Sequence, residues 1–132
     1  MFLLISKRRR LLADSKLLGQ WGEKRCEKYL RARGFKVLCR NFCCATGEVD
    51  LVAADSDGTI VFVEVKTRAS ESFGGPESAV TEAKRVRVGR AAKYFLSVNK
   101  IQGRRYRFDV AAIVLGLKGP VQIRYYENAF VP

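Results

Sequence analysis

The spacing of apolar residues predicts two helices. The first is capped by Asp14 or Ser15 and ends near Arg33, where Gly34 supplies a stop. Its apolar stripe recurs at helical period, at Leu18, Trp21, Gly22, Cys26, Tyr29 and Leu30. The second helix runs from Pro76-Glu77 to about Val98, because proline suits the first turn of a helix.

Five other segments predict strands, and turn or loop residues separate them. The segments are Phe35 to Leu38, Gly47 to Ala53, Thr59 to Arg68, Arg105 to Leu115 and Val121 to Glu127. The turn Asp55-Ser56-Asp57-Gly58 joins the second and third strands into a hairpin, and a Ser- and Gly-rich loop runs from Ala69 to Gly75. The order α-β-β-β-α-β-β predicts a mixed α/β sheet with helices packed on it.

The length of 132 residues suits one compact domain, which we assign to residues 14–132. Residues 1–13 are predicted to form a basic N-terminal arm, which either contacts phosphate or is simply solvated. The apolar start is too short to span a membrane, and its basic cluster follows the apolar residues instead of preceding them as in a signal peptide. We therefore expect a cytoplasmic protein without a membrane partner.

Charge narrows the classes of function. The chain has 25 Lys and Arg against 13 Asp and Glu, a net charge of +12, which predicts a nucleic-acid partner, the alternative being a merely solvated basic surface. The absence of histidine excludes Ser-His, Cys-His and histidine-metal chemistry. Cys39, Cys43 and Cys44 do not follow a zinc-binding spacing, so reduced thiols are expected, with a metal-thiol site or a disulfide as the alternative.

Charged residues interrupt two of the apolar strands. Glu64 and Lys66 share a face with Phe62, and Asp50 lies on the neighbouring strand of the hairpin, on the face of Glu48. Carboxylates brought together repel unless a cation neutralises them, and oxygen ligands suit Mg²⁺ or Mn²⁺. The pattern therefore predicts metal-assisted phosphodiester hydrolysis. The alternative is an ordinary amphipathic hairpin whose charges face water or pair across strands.

These residues carry a resemblance to a known family. Gly47-Glu48-Val49-Asp50-Leu51, followed by Glu64-Val65-Lys66, resembles the core of the PD-(D/E)xK nucleases. More closely, the chain resembles the bacterial YraN family, which is related to archaeal Holliday junction resolvases. The further matching positions are Gly22-Glu23, Tyr29-Leu30, Gly34, Arg40-Asn41, Thr67-Arg68, Lys84, Ala91, Tyr94 and Arg107-Phe108-Asp109.

The resemblance implies a restriction-endonuclease-like core with a mixed sheet of about five strands. It implies that Asp50 and Glu64 are metal ligands and Lys66 the catalytic lysine. Glu23 matches a helical acid that completes such sites, although it also fits a solvent-facing helix charge. Glu48 is a further candidate for an outer metal contact. Asp109 either supports the site or pairs with an arginine.

Two hypotheses follow. The first is a Mg²⁺-dependent endonuclease that acts on DNA, including branched DNA such as Holliday junctions, where a homodimer would supply two active sites. The second is a non-catalytic nucleic-acid-binding protein that keeps the nuclease fold. In both, phosphate contacts are expected from four basic residues, for which surface basicity is the alternative: Arg40, Arg68, Lys84 and Arg85.

Overall fold

The computed structural model describes the backbone of residues 2–70 and 80–132, and the side chains of these residues from Lys7 onward. The elements are α1 (Phe2–Ala13), α2 (Ser15–Ala32), β1 (Lys36–Cys44), β2 (Gly47–Ala54), β3 (Ile60–Arg68), α3 (Glu82–Val98), β4 (Tyr106–Val114) and β5 (Gln122–Tyr126). They confirm the α/β class predicted from the sequence, with a mixed five-stranded sheet flanked by helices.

The strands of the sheet lie side by side in chain order, with β3 at the centre. β1, β2 and β3 form an antiparallel meander, β3 and β4 run parallel, and β5 is antiparallel to β4. Parallel neighbours need a crossover connection, which contains α3. A charged residue on β3 is therefore surrounded by strands on both sides.

One helix covers each face of the sheet. α3 packs against Val52, Phe62 and Phe108 through a cluster that includes Val88 and Phe95. On the opposite face, a second cluster joins α2 to the sheet through Cys26, Leu30, Leu51, Val61 and Val63. Both helices therefore reach β3, from opposite sides.

The predicted cap and stop of the first long helix are confirmed. The Asp14 carboxylate accepts hydrogen bonds from the backbone N–H groups of Lys16 and Leu17, at 3.1 and 3.2 Å. The chain leaves α2 through Gly34, whose φ of 87° is accessible to glycine at little cost. The predicted β2–β3 hairpin is confirmed as well.

Three segments differ from the predictions. The second long helix begins at Glu82, after a Thr81 cap, and not at Pro76, which lies outside the described residues. β1 extends to Cys44 because it pairs with β2 along an edge that has no fully buried side chain to mark it in the sequence. The residues predicted as a basic arm are helical as α1, which contacts α2 and donates a hydrogen bond from Arg8 Nη2 to the Gly119 carbonyl at 3.0 Å.

The four cysteines are free thiols. None of the helices in the described ranges combines the length and the hydrophobicity that crossing a bilayer requires.

Candidate active site

The candidate site forms where β2 and β3 separate. Their antiparallel register runs from the Ala54–Ile60 pair to the Leu51–Val63 pair. Beyond that point the Asp50 carboxylate accepts the backbone N–H of Val65 at 2.8 Å. The Asp50 side chain thus satisfies a strand N–H group that would otherwise be left without a partner, and this hydrogen bond fixes the carboxylate against β3.

Strict alternation along β2 breaks near Asp50. Val49 joins the apolar cluster under α3 together with Val52, whereas Leu51 joins the cluster under α2. The regular alternation predicted along β2 is therefore interrupted, because Val49 lies on the face of Val52 and not on that of Leu51. The Glu48 carboxylate pairs with Arg87 of α3 at 2.9 Å.

Glu64 occupies the centre of the site. Its side chain has no exposed surface, and neither carboxylate oxygen has a hydrogen-bond partner in the described structure. The Lys84 ammonium lies 3.3 Å from Glu64 Oε2, within ion-pair range but without hydrogen-bond geometry. Burying a carboxylate without hydrogen bonds lowers the stability of the fold. Stability alone therefore does not explain why an acid occupies this position.

The electrostatics of Glu64 follow from this placement. Burial, and then the neighbouring carboxylate of Asp50, raise the pKa of Glu64 to about 9. Lys84 acts in the opposite direction but does not cancel these effects. In the absence of another cation, burial and the neighbouring Asp50 carboxylate therefore favour the protonated form of Glu64.

Two lysines flank the carboxylates. Burial, and then the nearby charge of Lys84, lower the pKa of Lys66. Burial also opposes the charge of Lys84, but the carboxylates of Glu64 and Asp50 outweigh it and raise the pKa of Lys84. Lys84 was predicted as a phosphate contact; the structure places its ammonium on Glu64.

Glu23 approaches the site from α2. Burial, and then the Asp50 carboxylate, raise its pKa, while Asn41 and Lys84 lower it. The preceding residue explains how α2 comes so close. A Cβ atom on Gly22 would lie 1.9 Å from Thr67 Oγ1, so only glycine allows α2 to approach β3 at this depth. The sequence carried this signal, since Gly22 is the one glycine in the apolar stripe of the predicted helix.

Three other residues were predicted as phosphate contacts, and each of them contacts another group of the protein. Arg40 pairs with Glu27, with 2.7 Å between Arg40 Nε and Glu27 Oε2. Arg68 Nη1 donates to the Thr67 carbonyl at 3.2 Å. Arg85 Nε donates to the Val80 carbonyl at 3.3 Å, and its guanidinium lies 5.8 Å from the ring centroid of Phe130.

Asp109, the remaining candidate, is fully buried and fully partnered. It accepts hydrogen bonds from the Tyr125 hydroxyl at 2.6 Å and the Asn128 N–H at 2.8 Å. Arg107 Nε lies 3.1 and 3.2 Å from its two oxygens. Of the two alternatives for Asp109, pairing with an arginine is the one observed.

The donor set suits a divalent cation that keeps water or substrate ligands. Among the described residues, no three acidic, cysteine or histidine side chains gather closely enough to hold a metal, so neither Glu23 nor Glu48 completes a three-ligand group with Asp50 and Glu64. Mg²⁺ is commonly bound through one or two carboxylates, with water and substrate phosphate as its other ligands. The two oxygens of Glu64, which accept no hydrogen bond and lie near Asp50, fit that mode.

Comparison with known proteins identifies relatives along most of the chain. A family model described as "Uncharacterised protein family UPF0102" matches residues 22–113, a range that contains all the site residues discussed above. The UPF0102 protein of Caldicellulosiruptor saccharolyticus is 43% identical over 114 residues, which cover 86% of this chain and 96% of that protein. The UPF0102 protein of Pelotomaculum thermopropionicum is 40% identical over 121 residues, 90% of this chain and all of that protein.

Among solved structures, a chain described as "Structure of EndoMS-dsDNA2 complex" is 29% identical where it matches, over 57% of this chain and 26% of that chain, with a TM-score of 0.30. That score is too low to assign fold or function. The family model and the relatives are sufficient by themselves: the chain belongs to family UPF0102, the YraN family that its motifs resemble.

Proposed function

We propose that this protein is a divalent-metal-dependent endonuclease that hydrolyses phosphodiester bonds in DNA. The observation that carries the proposal is Glu64: a wholly buried carboxyl group on the central strand that accepts no hydrogen bond and lies next to Asp50, with Lys84 as its one nearby cation. A fold keeps such a costly arrangement where binding or chemistry needs it. A cation between the two carboxylates removes the repulsion and satisfies the bare oxygens.

Each residue of the site has a defined role in this proposal. Asp50 and Glu64 would hold Mg²⁺ or Mn²⁺. When bound, such an ion supplies positive charge to the scissile phosphate and lowers the pKa of a coordinated water. Lys66, whose pKa is lowered, can orient the attacking water or neutralise developing negative charge. Glu23, held near Asp50, adds negative charge that strengthens cation binding.

DNA is the proposed substrate because the protein carries a net charge of +12 and because its motifs resemble a family related to archaeal Holliday junction resolvases. Branched DNA is the finer form of this proposal. Cutting a junction symmetrically requires two active sites, and a homodimer would provide them.

The test is cleavage of labelled duplex, single-stranded, flap and four-way DNA, and of matched RNA, with Mg²⁺, Mn²⁺ or EDTA. We expect metal-dependent cleavage that falls about 100-fold or more in Glu64→Gln and Lys66→Met, the scale of losing a group that acts on transition-state charge. Glu48→Gln and Lys100→Met are matched controls on exposed side chains and should cut as the wild type does. Cleavage that survives both site substitutions, or that ignores EDTA, contradicts the proposed mechanism.

One observation favours the second candidate, a non-catalytic nucleic-acid-binding protein. Lys84 already places a cation 3.3 Å from Glu64, so the fold has an internal counter-charge for the buried acid. Under this alternative all four DNA forms bind, with an affinity that falls steeply with salt, and none is cut with any metal.

A further inference from the structure

A positively charged surface lies farther along α3 from the candidate active site. It is a groove of about 600 Å³ between the β1–β2 turn, residues 43–46, and the C-terminal half of α3. α3 contributes the exposed side chains of Arg90, Lys93 and Tyr94. Within the described part of the chain, no acidic residue lines the groove. Its field therefore attracts anions.

An aromatic ring is held at this groove in a fixed position. The Tyr94 ring lies against Phe42, with 6.0 Å between centroids and 33° between planes. Phe42 in turn packs edge-on against Phe95 of the core, at 5.2 Å and 88°. Tyr94 nevertheless remains 50% exposed. A supported, exposed aromatic beside two cations is the combination that binds the bases and phosphates of a nucleic-acid strand.

The groove is connected to the candidate active site by one side of α3. Lys84, Arg87 and Tyr94 follow each other at spacings of three and seven residues, which places them on the same side of the helix. Lys84 contacts Glu64, and Arg87 contacts Glu48. The ten residues from Lys84 to Tyr94 span about 15 Å along the helix axis, roughly the axial length of four base pairs.

We propose that this groove binds a nucleic-acid strand that continues from the candidate active site, with phosphates on Arg90 and Lys93 and a base stacked on Tyr94. The inference rests on the proposed function and defines where its substrate lies. A second copy of this chain fits the groove less well, because both molecules carry a net charge of +12 and the groove itself is cationic.

The test measures DNA binding in EDTA by fluorescence anisotropy at a series of salt concentrations. The probes are a blunt duplex and the same duplex with a single-stranded extension of six nucleotides. Tyr94→Leu should weaken binding of the extended probe roughly 5- to 100-fold, the range for losing one base-aromatic stack. Tyr94→Phe keeps the ring and should bind as the wild type does.

The cationic half of the proposal has its own variant and control. Arg90→Gln combined with Lys93→Gln should lower the slope of log affinity against log salt concentration by about two. Lys16→Gln combined with Lys36→Gln removes the same charge from exposed positions outside the groove and should change the slope by clearly less. Circular dichroism and thermal melting of each variant separate a binding defect from unfolding. A probe with 5-iodouracil in the extension should photo-cross-link to Tyr94.

Binding by Tyr94→Leu that equals the wild type, or an equal loss of slope in the two double variants, would overturn the proposal. So would self-association that depends on Tyr94 with no effect of Tyr94 on DNA. The two proposals fail separately. If no DNA is cut but the groove variants bind weakly, the groove stands and the nuclease does not. If cleavage depends on Glu64 but the groove variants bind as the wild type does, the nuclease stands alone.

Discussion

Two buried carboxylates on neighbouring parallel strands have opposite surroundings. Glu64 of β3 and Asp109 of β4 are both fully buried, and the register pairs Glu64 with Val110 and Val63 with Asp109. Asp109 has hydrogen bonds from Tyr125, Asn128 and Arg107. Glu64 has no hydrogen-bond partner, one lysine at 3.3 Å and a second acid beside it.

The difference separates an acid with a structural role, Asp109, from the proposed metal ligand, Glu64. Burial raises the pKa of Asp109, but its partners lower it and hold the charged oxygens in place. The carboxyl oxygens of Glu64 accept no hydrogen bond, and the Lys84 ammonium at 3.3 Å offsets only part of the cost of burying them. Equal burial therefore does not predict equal roles; the number of satisfied hydrogen bonds distinguishes them.

The largest loss of stability should come from removing Asp109, the acid whose hydrogen bonds are satisfied. Asp109→Ala leaves the Arg107 guanidinium and the Tyr125 hydroxyl without their main partner, and we expect it to lower the free energy of unfolding by about 3–5 kcal/mol. Urea denaturation measures this loss. Glu127→Ala is the control: it removes a surface contact of Arg107 at 3.5 Å and should cost less than about 1 kcal/mol. Equal losses in the two variants would show that Asp109 is not the structural acid.

A smaller loss should come from disturbing the close approach of α2 to β3. Gly22→Ala forces a Cβ atom to within 1.9 Å of Thr67 Oγ1, and we expect it to destabilise by about 1–3 kcal/mol. Gly19→Ala on the same helix has nothing within 4 Å of its new Cβ and should stabilise by about 0.5–1 kcal/mol through helix propensity. Thermal melting compares the pair. A shift of the same sign in both variants would contradict the close approach at Gly22.

A third substitution, Glu64→Gln, should stabilise the protein instead of destabilising it. Glu64→Gln in EDTA should raise the free energy of unfolding at pH 7 by about 1–2 kcal/mol, less than the full pKa shift implies because the amide is also unpartnered. The folded state holds the proton up to a pKa of about 9, whereas the unfolded chain releases it near 4.5. The stability of the wild type therefore falls as pH rises through this window, and the advantage of the variant grows.

Urea denaturation of wild type and Glu64→Gln between pH 4 and pH 9 checks the direction. The two proteins should converge at the acidic end, where Glu64 is protonated in both the folded and the unfolded state. A variant that is less stable than the wild type at pH 8 would contradict the account of Glu64 as an unsatisfied acid.

The smallest change in stability should come from the contacts of Glu27, an acid nearer the surface. Hydrogen bonds from Arg40, and then from Arg31, lower the pKa of Glu27 to about 2 against the effect of its own burial. Because the folded pKa is lowered, this contact contributes stability above pH 4.5 that is lost as pH falls toward 2. Arg40→Gln should therefore be slightly less stable than the wild type at pH 6 and equal to it near pH 2. Acid titrations followed by circular dichroism check this, and a difference that grows as pH falls would contradict it.

Local signals in the sequence predicted the parts of the fold that depend on neighbouring residues. Asp14 caps the start of α2, and Gly34 ends the helix with a positive φ. Both signals are properties of single residues. The turn from Asp55 to Gly58 predicted the β2–β3 hairpin, and that hairpin brings Asp50 next to β3. The proximity of Asp50 and Glu64 was therefore accessible from spacing.

The remaining features depend on contacts between distant segments. The break in alternation near Asp50 arises where β2 leaves β3, so a strict period of two does not describe the faces of Val49 and Leu51. The start of α3 was misplaced because Pro76 was preferred to Thr81, whose hydroxyl accepts the Lys84 N–H at 3.2 Å. The contact of Lys84 with Glu64 joins α3 to β3 and has no counterpart in local pattern.

The central claim is that Asp50 and Glu64 form a divalent-cation site, and Mn²⁺ binding tests it most directly. Electron paramagnetic resonance of free Mn²⁺, titrated with wild type, Glu64→Gln and Glu48→Gln at pH 8, counts the bound ions without depending on cleavage. The account predicts binding by the wild type and Glu48→Gln that is lost or weakened at least about tenfold in Glu64→Gln, in line with removal of a ligand. Mn²⁺ binding by Glu64→Gln that equals the wild type would contradict it.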